Sequence, residues 1–153
     1  HPQWTPSPDM QLFTDASGSV GWGAYNHGRW IRGTWSEKDA ERSIEWKELY
    51  AILVACSTWG YEWSKLRILF HCDNSAVVDC IRSGCCKSPP VMSLLRELFF
   101  VSARCNFAVS AVHIAGHHNV IADCLSRSFM QAFRRHAPNA KAAPDIARLP
   151  QQC

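Results

Sequence analysis

The sequence lacks any apolar run approaching the ~18 residues needed to cross a bilayer as a helix, so no transmembrane span is expected. It has neither an initiator Met nor a basic-then-apolar leader. Starting at His1, it reads as a fragment of a longer chain. It also lacks a C-x-x-C pair and any Cys/His cluster with finger spacing, although it holds eight cysteines, at 56, 72, 80, 85, 86, 105, 124 and 153. Structural zinc and a disulfide framework are therefore not expected. Cys85 and Cys86 are adjacent, an awkward geometry for pairing with each other. Cys56, Cys72, Cys105 and Cys124 sit in apolar patterns, where a free thiol acts as a small hydrophobe. A reducing intracellular compartment, cytoplasmic or nuclear, is expected. Charge of one sign is scarce where a domain would use it. The net charge is +3, but five basic residues against one acidic fall between Arg127 and Cys153, leaving 11 basic and 12 acidic in residues 1–126. A near-neutral body does not advertise nucleic-acid binding by charge.

What is present is a foldable chain. It has 153 residues, 47% hydrophobic and 19% charged, enough for one domain with one sizeable core. Residues 1–9, with three prolines, read as a linker. Gln11–Asp15 reads as a strand, Gly18 as a turn, and Val20–Asn26 and Arg29–Trp35 as two further strands. Ser36–Arg42 is polar and reads as a loop. Ser43 can cap a helix from Ile44, whose Leu49, Ile52, Leu53 and Cys56 form an apolar stripe ending near Gly60. Leu66–Cys72 reads as a strand and Asn74–Ser83 as a helix stopped by Gly84. A helix follows from Ser88 to about Cys105, then a strand over Phe107–Ala115. Gly116 breaks that strand, Asn119 caps, and Val120–Phe133 reads as the last helix. The remainder, rich in Ala and Pro without a period, reads as a flexible basic tail over 134–153. Three hairpin-linked strands followed by alternating helices and strands imply an α/β domain over 10–133: a five-stranded mixed sheet with helices on both faces.

Four carboxylates fall at matching places in this pattern. Asp15 ends the first strand and Asp73 ends the fourth. Glu48 lies beside the apolar stripe of the first long helix, and Asp123 lies in the first turns of the last. Parallel neighbouring strands bring their carboxyl ends to one crevice. Four carboxylates there repel unless a cation neutralises them. Hard oxygen ligands favour Mg²⁺ or Mn²⁺, and two such ions can clamp the attacking and leaving oxygens of a phosphodiester. For any one Asp, the alternative is a turn former or a helix cap.

The residues around these carboxylates carry a family likeness. Leu12-Phe13-Thr14-Asp15-Ala16-Ser17, Glu48-Leu49-Tyr50-Ala51-Ile52 and His71-Cys72-Asp73-Asn74-Ser75 resemble three acidic motifs of type 1 ribonuclease H. The stretch His113-Ile114-Ala115-Gly116-His117-His118-Asn119-Val120-Ile121-Ala122-Asp123-Cys124-Leu125-Ser126-Arg127 resembles the retrotransposon form of the fourth. Phe129–Pro138 is similar to retroelements of the DIRS/Ngaro kind. The resemblance covers about residues 10–130. It implies an RNase H-like fold and a two-metal-ion endonuclease that cuts the RNA strand of RNA–DNA hybrids as part of a retroelement reverse transcriptase. It further implies Asp15, Glu48, Asp73 and Asp123 as ligands of two Mg²⁺ ions, replaceable by Mn²⁺. His117 is implied as the loop histidine assisting proton transfer or product release, with His118 its rival. Ser17, Gly18, Ser43, Asn74 and Ser75 match positions that approach the nucleic-acid backbone, Ser43 being also a plain cap.

One feature departs from some family members. Ser83–Pro90 is too short to hold a basic helix and loop for gripping the hybrid. The reverse transcriptase region of the parent chain is then expected to supply much of the affinity, which depends on phosphate neutralisation. Three other functions compete. A 3′→5′ exonuclease of related fold wants Asp-x-Glu in the first strand, and Asp15-Ala16-Ser17 lacks it. A non-catalytic RNase H-like tether would be marked by a lost carboxylate. A nucleic-acid-binding tail would need denser basic residues. The aromatics Trp22, Tyr25, Trp30, Trp35, Trp46, Trp59 and Trp63 read mostly as core or sheet-face residues, with a stacking contact left open.

Overall fold

A computed structural model describes residues 7–150. The first six residues of the expected 1–9 linker, and Cys153, lie outside the described residues. Within the linker, Asp9 is already fixed: its Oδ2 accepts from the Arg67 amide at 2.7 Å. The chain then enters β1 (Met10–Ala16), β2 (Gly21–Asn26) and β3 (Arg29–Thr34), joined as antiparallel neighbours. The β2–β3 turn is His27-Gly28, with φ of 48° and 88°, the left-handed pair that matches the twist of a two-residue hairpin.

The expected loop after β3 holds one helical turn, α1 (Glu37–Ala40), because Ser36 accepts from the Asp39 amide and nucleates it. Next come α2 (Ile44–Trp59), β4 (Arg67–Cys72), α3 (Ser75–Ser83), α4 (Pro89–Cys105) and β5 (Ala108–His113). Gly84 stops α3 in the left-handed conformation, φ 77°. The sheet order is β3-β2-β1-β4-β5, with β1, β4 and β5 parallel. This is the expected five-stranded mixed sheet.

The expected last helix is two. α5 (Val120–Arg127) ends at Ser128, φ 63°, and α6 (Met130–His136) follows at a new angle. The stop is a left-handed cap: the Ser128 and Phe129 amides donate back to the Leu125 and Cys124 carbonyls at 3.3 and 2.9 Å. Arg32 on β3 adds a bond to the Leu125 carbonyl at 3.4 Å and one to the Ser128 hydroxyl. Asn119 holds the expected N-cap position of α5, but its side chain makes no capping bond. Its Nδ2 donates to the Thr14 carbonyl at 2.8 Å, pinning the loop before α5 to β1.

Consecutive residues of β3 show the two-sided core. Ile31 joins the larger cluster with α2 and α4, whereas Trp30 joins a smaller one with Leu125 and Phe133. Helices thus cover both faces. α2 is buried at thirteen of its sixteen residues, more than its apolar stripe implied, because α4 covers the side turned away from the sheet. α5 lies close against the other face. A Cβ on Gly23 would sit 2.4 Å from Leu125 Cβ. Gly23→Ala is therefore expected to lift α5 from the sheet and to cost about 1–3 kcal/mol, measurable by urea denaturation.

The segment after α6, expected to be a mobile linker, has no regular structure but is held along the sheet edge. Lys141 and Asp145 donate their amides to the Gly28 and Trp30 carbonyls at 2.8 and 2.9 Å. Asp145 Oδ2 accepts from Arg29 at 2.7 Å and from Trp59 Nε1 at 2.8 Å. Arg148 donates its amide to Thr58. The segment thereby shields the exposed edge of β3.

Candidate metal centre

Strand register builds the site. β1 and β4 pair in parallel with Phe13 opposite His71. Two residues further on, this register sets Asp15 across from Asp73, at the carboxyl ends of two central strands. α2 crosses that end and brings Glu48. Ligand oxygens of Asp15, Glu48 and Asp73 all lie within 4.8 Å of one another. Asp15 and Glu48 are only 4% and 3% exposed, while Asp73 is half-buried and opens the cluster to solvent.

Asp123 stands beside this trio. It touches Asp15, but its Oδ1 also accepts from Arg127 Nε at 2.9 Å, and it is outside the group of three. Ser126, one turn on, is fully buried. Its hydroxyl lies 3.3 Å from Asp15 Oδ2 and 2.9 Å from the Asp123 carbonyl, tying β1 to α5. Sequence reasoning gave Ser126 no role. Its spacing of three from Asp123, on the same helix face, was the available signal.

The electrostatics follow from this crowding. Burial, then the Asp73 charge and the Asp123 contact, push the Asp15 carboxyl well above the usual carboxylate range, against a bond from the Ala16 amide. Burial, then Asp73 and Asp15, push Glu48 up as well. Burial and Glu48 also raise the Cys72 thiol, which keeps it protonated beside the site. Glu48 Oε1 is buried with no hydrogen-bond partner. An orphan acceptor among converging carboxylates fits a divalent cation, which would supply the missing positive partner through hard oxygen ligands.

The other residues singled out from sequence are placed as follows. His117 and His118 are exposed on a short 3₁₀ turn, their rings 4.0 Å apart. Gly116 of the same turn runs against the site, since a Cβ there would lie 3.4 Å from Asp73 Oδ2. Ser17 is buried, and its hydroxyl is consumed inside the protein. It accepts from the Val20 and Gly21 amides at 3.0 and 2.9 Å and lies 3.2 Å from the Gly21 and Ser126 carbonyls. Gly18 is exposed with open space around it. Ser43 and Asn74 cap α2 and α3, accepting from the Trp46 and Val77 amides. Ser75 is exposed at the start of α3. The α3–α4 connection is short, with no inserted helix.

Similar architectures are known. The structure of LC11-RNase H1 in complex with an RNA/DNA hybrid superposes with a TM-score of 0.60 at 15% identity, over 80% of this chain and 99% of that one. The chain has a ribonuclease H-like fold. The N-terminal RNase H domain of a Mycobacterium tuberculosis protein, solved as a fusion with maltose binding protein, matches at 0.55 and 14% identity, over 84% and 99%. The protease–reverse transcriptase of prototype foamy virus matches at 0.56 and 14% identity, over 86% of this chain and 22% of that one. No family model and no curated protein sequence matches the chain. In this RNase H-like fold, the acidic cluster at the carboxyl ends of β1 and β4 is consistent with a metal-dependent nuclease. No helix among the described residues is long and apolar enough to cross a membrane.

Proposed function

We propose that the chain is an endonuclease hydrolysing the RNA strand of RNA–DNA hybrids with two Mg²⁺ ions, as one domain of a retroelement reverse transcriptase. One observation carries the reading: three carboxylates converge within 4.8 Å at the carboxyl end of parallel central strands, with Glu48 Oε1 buried and unpaired. The retroelement assignment is supported by the Gly116–Arg127 motif.

Asp15, Glu48 and Asp73 hold the cations, and Asp123 completes the set once it is released from Arg127. The bound ions supply Lewis-acid stabilisation to the attacking and leaving oxygens at phosphorus. The protein's own groups do the rest. Ser126 keeps the Asp15 carboxylate oriented. His117, on the turn beside Asp73, passes a proton to the departing 3′-oxygen, with His118 as its neighbour. The Gly18 backbone and the Ser75 hydroxyl, both exposed, approach the strand backbone. Ser17, Ser43 and Asn74 act by fixing the turn and the two helix starts that present it. Choice of RNA over DNA comes from 2′-hydroxyls in the shallow minor groove.

A labelled hybrid incubated with Mg²⁺, Mn²⁺ or EDTA tests this. The RNA strand is expected to be cut with either ion and not with EDTA, and double-stranded DNA to stay whole. An uncut hybrid with both ions, from a chain shown to be folded, overturns the reading in favour of a tether. Each phosphate neutralised adds about 0.9 to the salt slope on duplex. With a near-neutral body and no basic insertion, the isolated chain is expected to bind hybrid weakly, with a slope of about −2 to −3. Mn²⁺ is expected to help more than Mg²⁺. A slope of many units from this chain alone would show that it needs no neighbour to grip its substrate.

A further inference from the structure

A cavity of about 300 Å³ opens between the β1–β2 face and the start of α5, on a scale that suits a small planar ligand. Phe13, Tyr25, His118, Asn119, Ile121 and His136 line it. Phe13 and Tyr25 face each other directly across β1 and β2, and Phe13 stacks on His71 of β4 at 4.4 Å and 10°. All three are half-buried, and Tyr25 also meets Phe133 edge-on at 6.3 Å. Tyr25 and Ile121 lean against the smaller core cluster, whereas Phe13 belongs to neither cluster. The main clusters lie under α2 and under Leu125 and Phe133.

The second observation is Asn119. It is 2% exposed. Its Nδ2 is committed to the Thr14 carbonyl, which fixes the orientation of the amide. Its Oδ1 is buried with no partner. A buried acceptor left unpaired is costly and points to a donor supplied from outside. At its rim the cavity is lined by two histidines, His118 and His136, the latter at the end of α6. The turn at 116–119 serves both places: Gly116 abuts Asp73, while His118 and Asn119 line the cavity. Phe13 and Asp15 lie on one face of β1, about 7 Å apart.

We propose that this cavity binds one base of a single-stranded nucleic acid, stacked on Phe13 and Tyr25, with its exocyclic amine donated to Asn119 Oδ1. Half-exposed aromatics on neighbouring strands are a known way to stack unpaired bases, and such stacking tolerates any ring. Ring N–H groups of His118 and His136 donate to the adjoining phosphate. The site holds a strand beside the carboxylates and does not depend on cleavage.

The test uses the metal-free chain in EDTA, so failure of the nuclease reading does not affect it. Backbone amide NMR shifts are followed on adding AMP, N6,N6-dimethyl-AMP, ribose 5-phosphate and an octamer of deoxyadenylate. Shifts are expected at residues 13, 25, 118–121 and 136 with AMP, and at lower concentration with the octamer. Dimethyl-AMP, which has no amine hydrogen to donate, is expected to bind about tenfold more weakly. Tyr25→Ala should weaken the octamer about 5- to 100-fold and Tyr25→Phe should not, because stacking needs the ring and not the hydroxyl. Equal binding of dimethyl-AMP overturns the role of Asn119, and ribose 5-phosphate giving the same shifts makes this an anion site only. AMP binding as tightly as the octamer overturns a strand as the ligand, and no shifts with any probe overturn the site.

Discussion

Asp15→Asn is expected to abolish hybrid cleavage and, at the same time, to stabilise the metal-free chain. The substitution keeps shape and an acceptor for Ser126 but removes a charge from a cluster within 4.8 Å. Loss of a cation ligand withdraws several kcal/mol of charge stabilisation, and each 1.36 kcal/mol is tenfold in rate, so a fall on the order of 10³-fold or more is expected. The stability change has the opposite sign. Asp15 and Glu48 have folded pKa values raised by burial and by their neighbours. Such groups hold protons in the folded state that the unfolded chain gives up. Their contribution is fully present below the unfolded pKa, about 4, and is lost as pH rises through the folded values. The metal-free wild type should therefore lose stability from about pH 4 through neutrality, and Asp15→Asn should lose less. At pH 7.5, relief of about 1 kcal/mol raises Tm by about 2–4 °C for a chain of this size. Adding Mg²⁺ should raise Tm of the wild type and hardly move the variant. A variant that melts lower than wild type and still cuts hybrid would make Asp15 a structural residue.

Removing residues after His136 is expected to destabilise the fold by about 2–4 kcal/mol, or roughly 10 °C in Tm, since two indole donors lose their acceptors. The deletion takes away Asp145, which shares Arg29 with Glu62 and receives the Trp59 indole, and it leaves Trp30 Nε1 without the Lys141 carbonyl at 2.8 Å. It also removes Ala137 from the smaller core cluster and uncovers the β3 edge, so aggregation should rise with the loss of Tm. The point variant Asp145→Ala should reproduce part of the loss. Thermal melts of both variants, with hybrid binding measured below the transition, separate a structural strap from a substrate arm. A truncated chain that melts like wild type but no longer binds hybrid would make the tail a functional arm.

Strand and helix order was legible because local signals coincide with burial. Alternation in β4 buries Ile68, Phe70 and Cys72, and Ser43 and Asn74 cap the helices that follow them. Asp15 and Asp73 were legible because they sit at strand ends, Glu48 because it lies beside an apolar helical stripe, and Asp123 because it falls in the first turns of a helix. The split after Arg127 was not, because the left-handed cap that ends the helix falls on a serine, Ser128, and not on the glycine that usually marks one. The docked tail was not legible either. It is held by amides and one carboxylate at irregular intervals, which leave no period in the sequence.

By itself, then, the sequence determined the alternation of strands and helices and the set of acidic residues, since propensity, capping and hydrophobic period act over a few neighbours. Only the tertiary structure decided which of those residues meet. The parallel register of β1 on β4 sets Asp15 against Asp73, and the burial of α2 on both sides drives Glu48 between them with its Oε1 unpaired. The same packing spends the Ser17 hydroxyl inside the turn and leaves Asn119 Oδ1 unpaired at a cavity wall. Contacts between residues a hundred positions apart are set by register and packing, which no local window of sequence records.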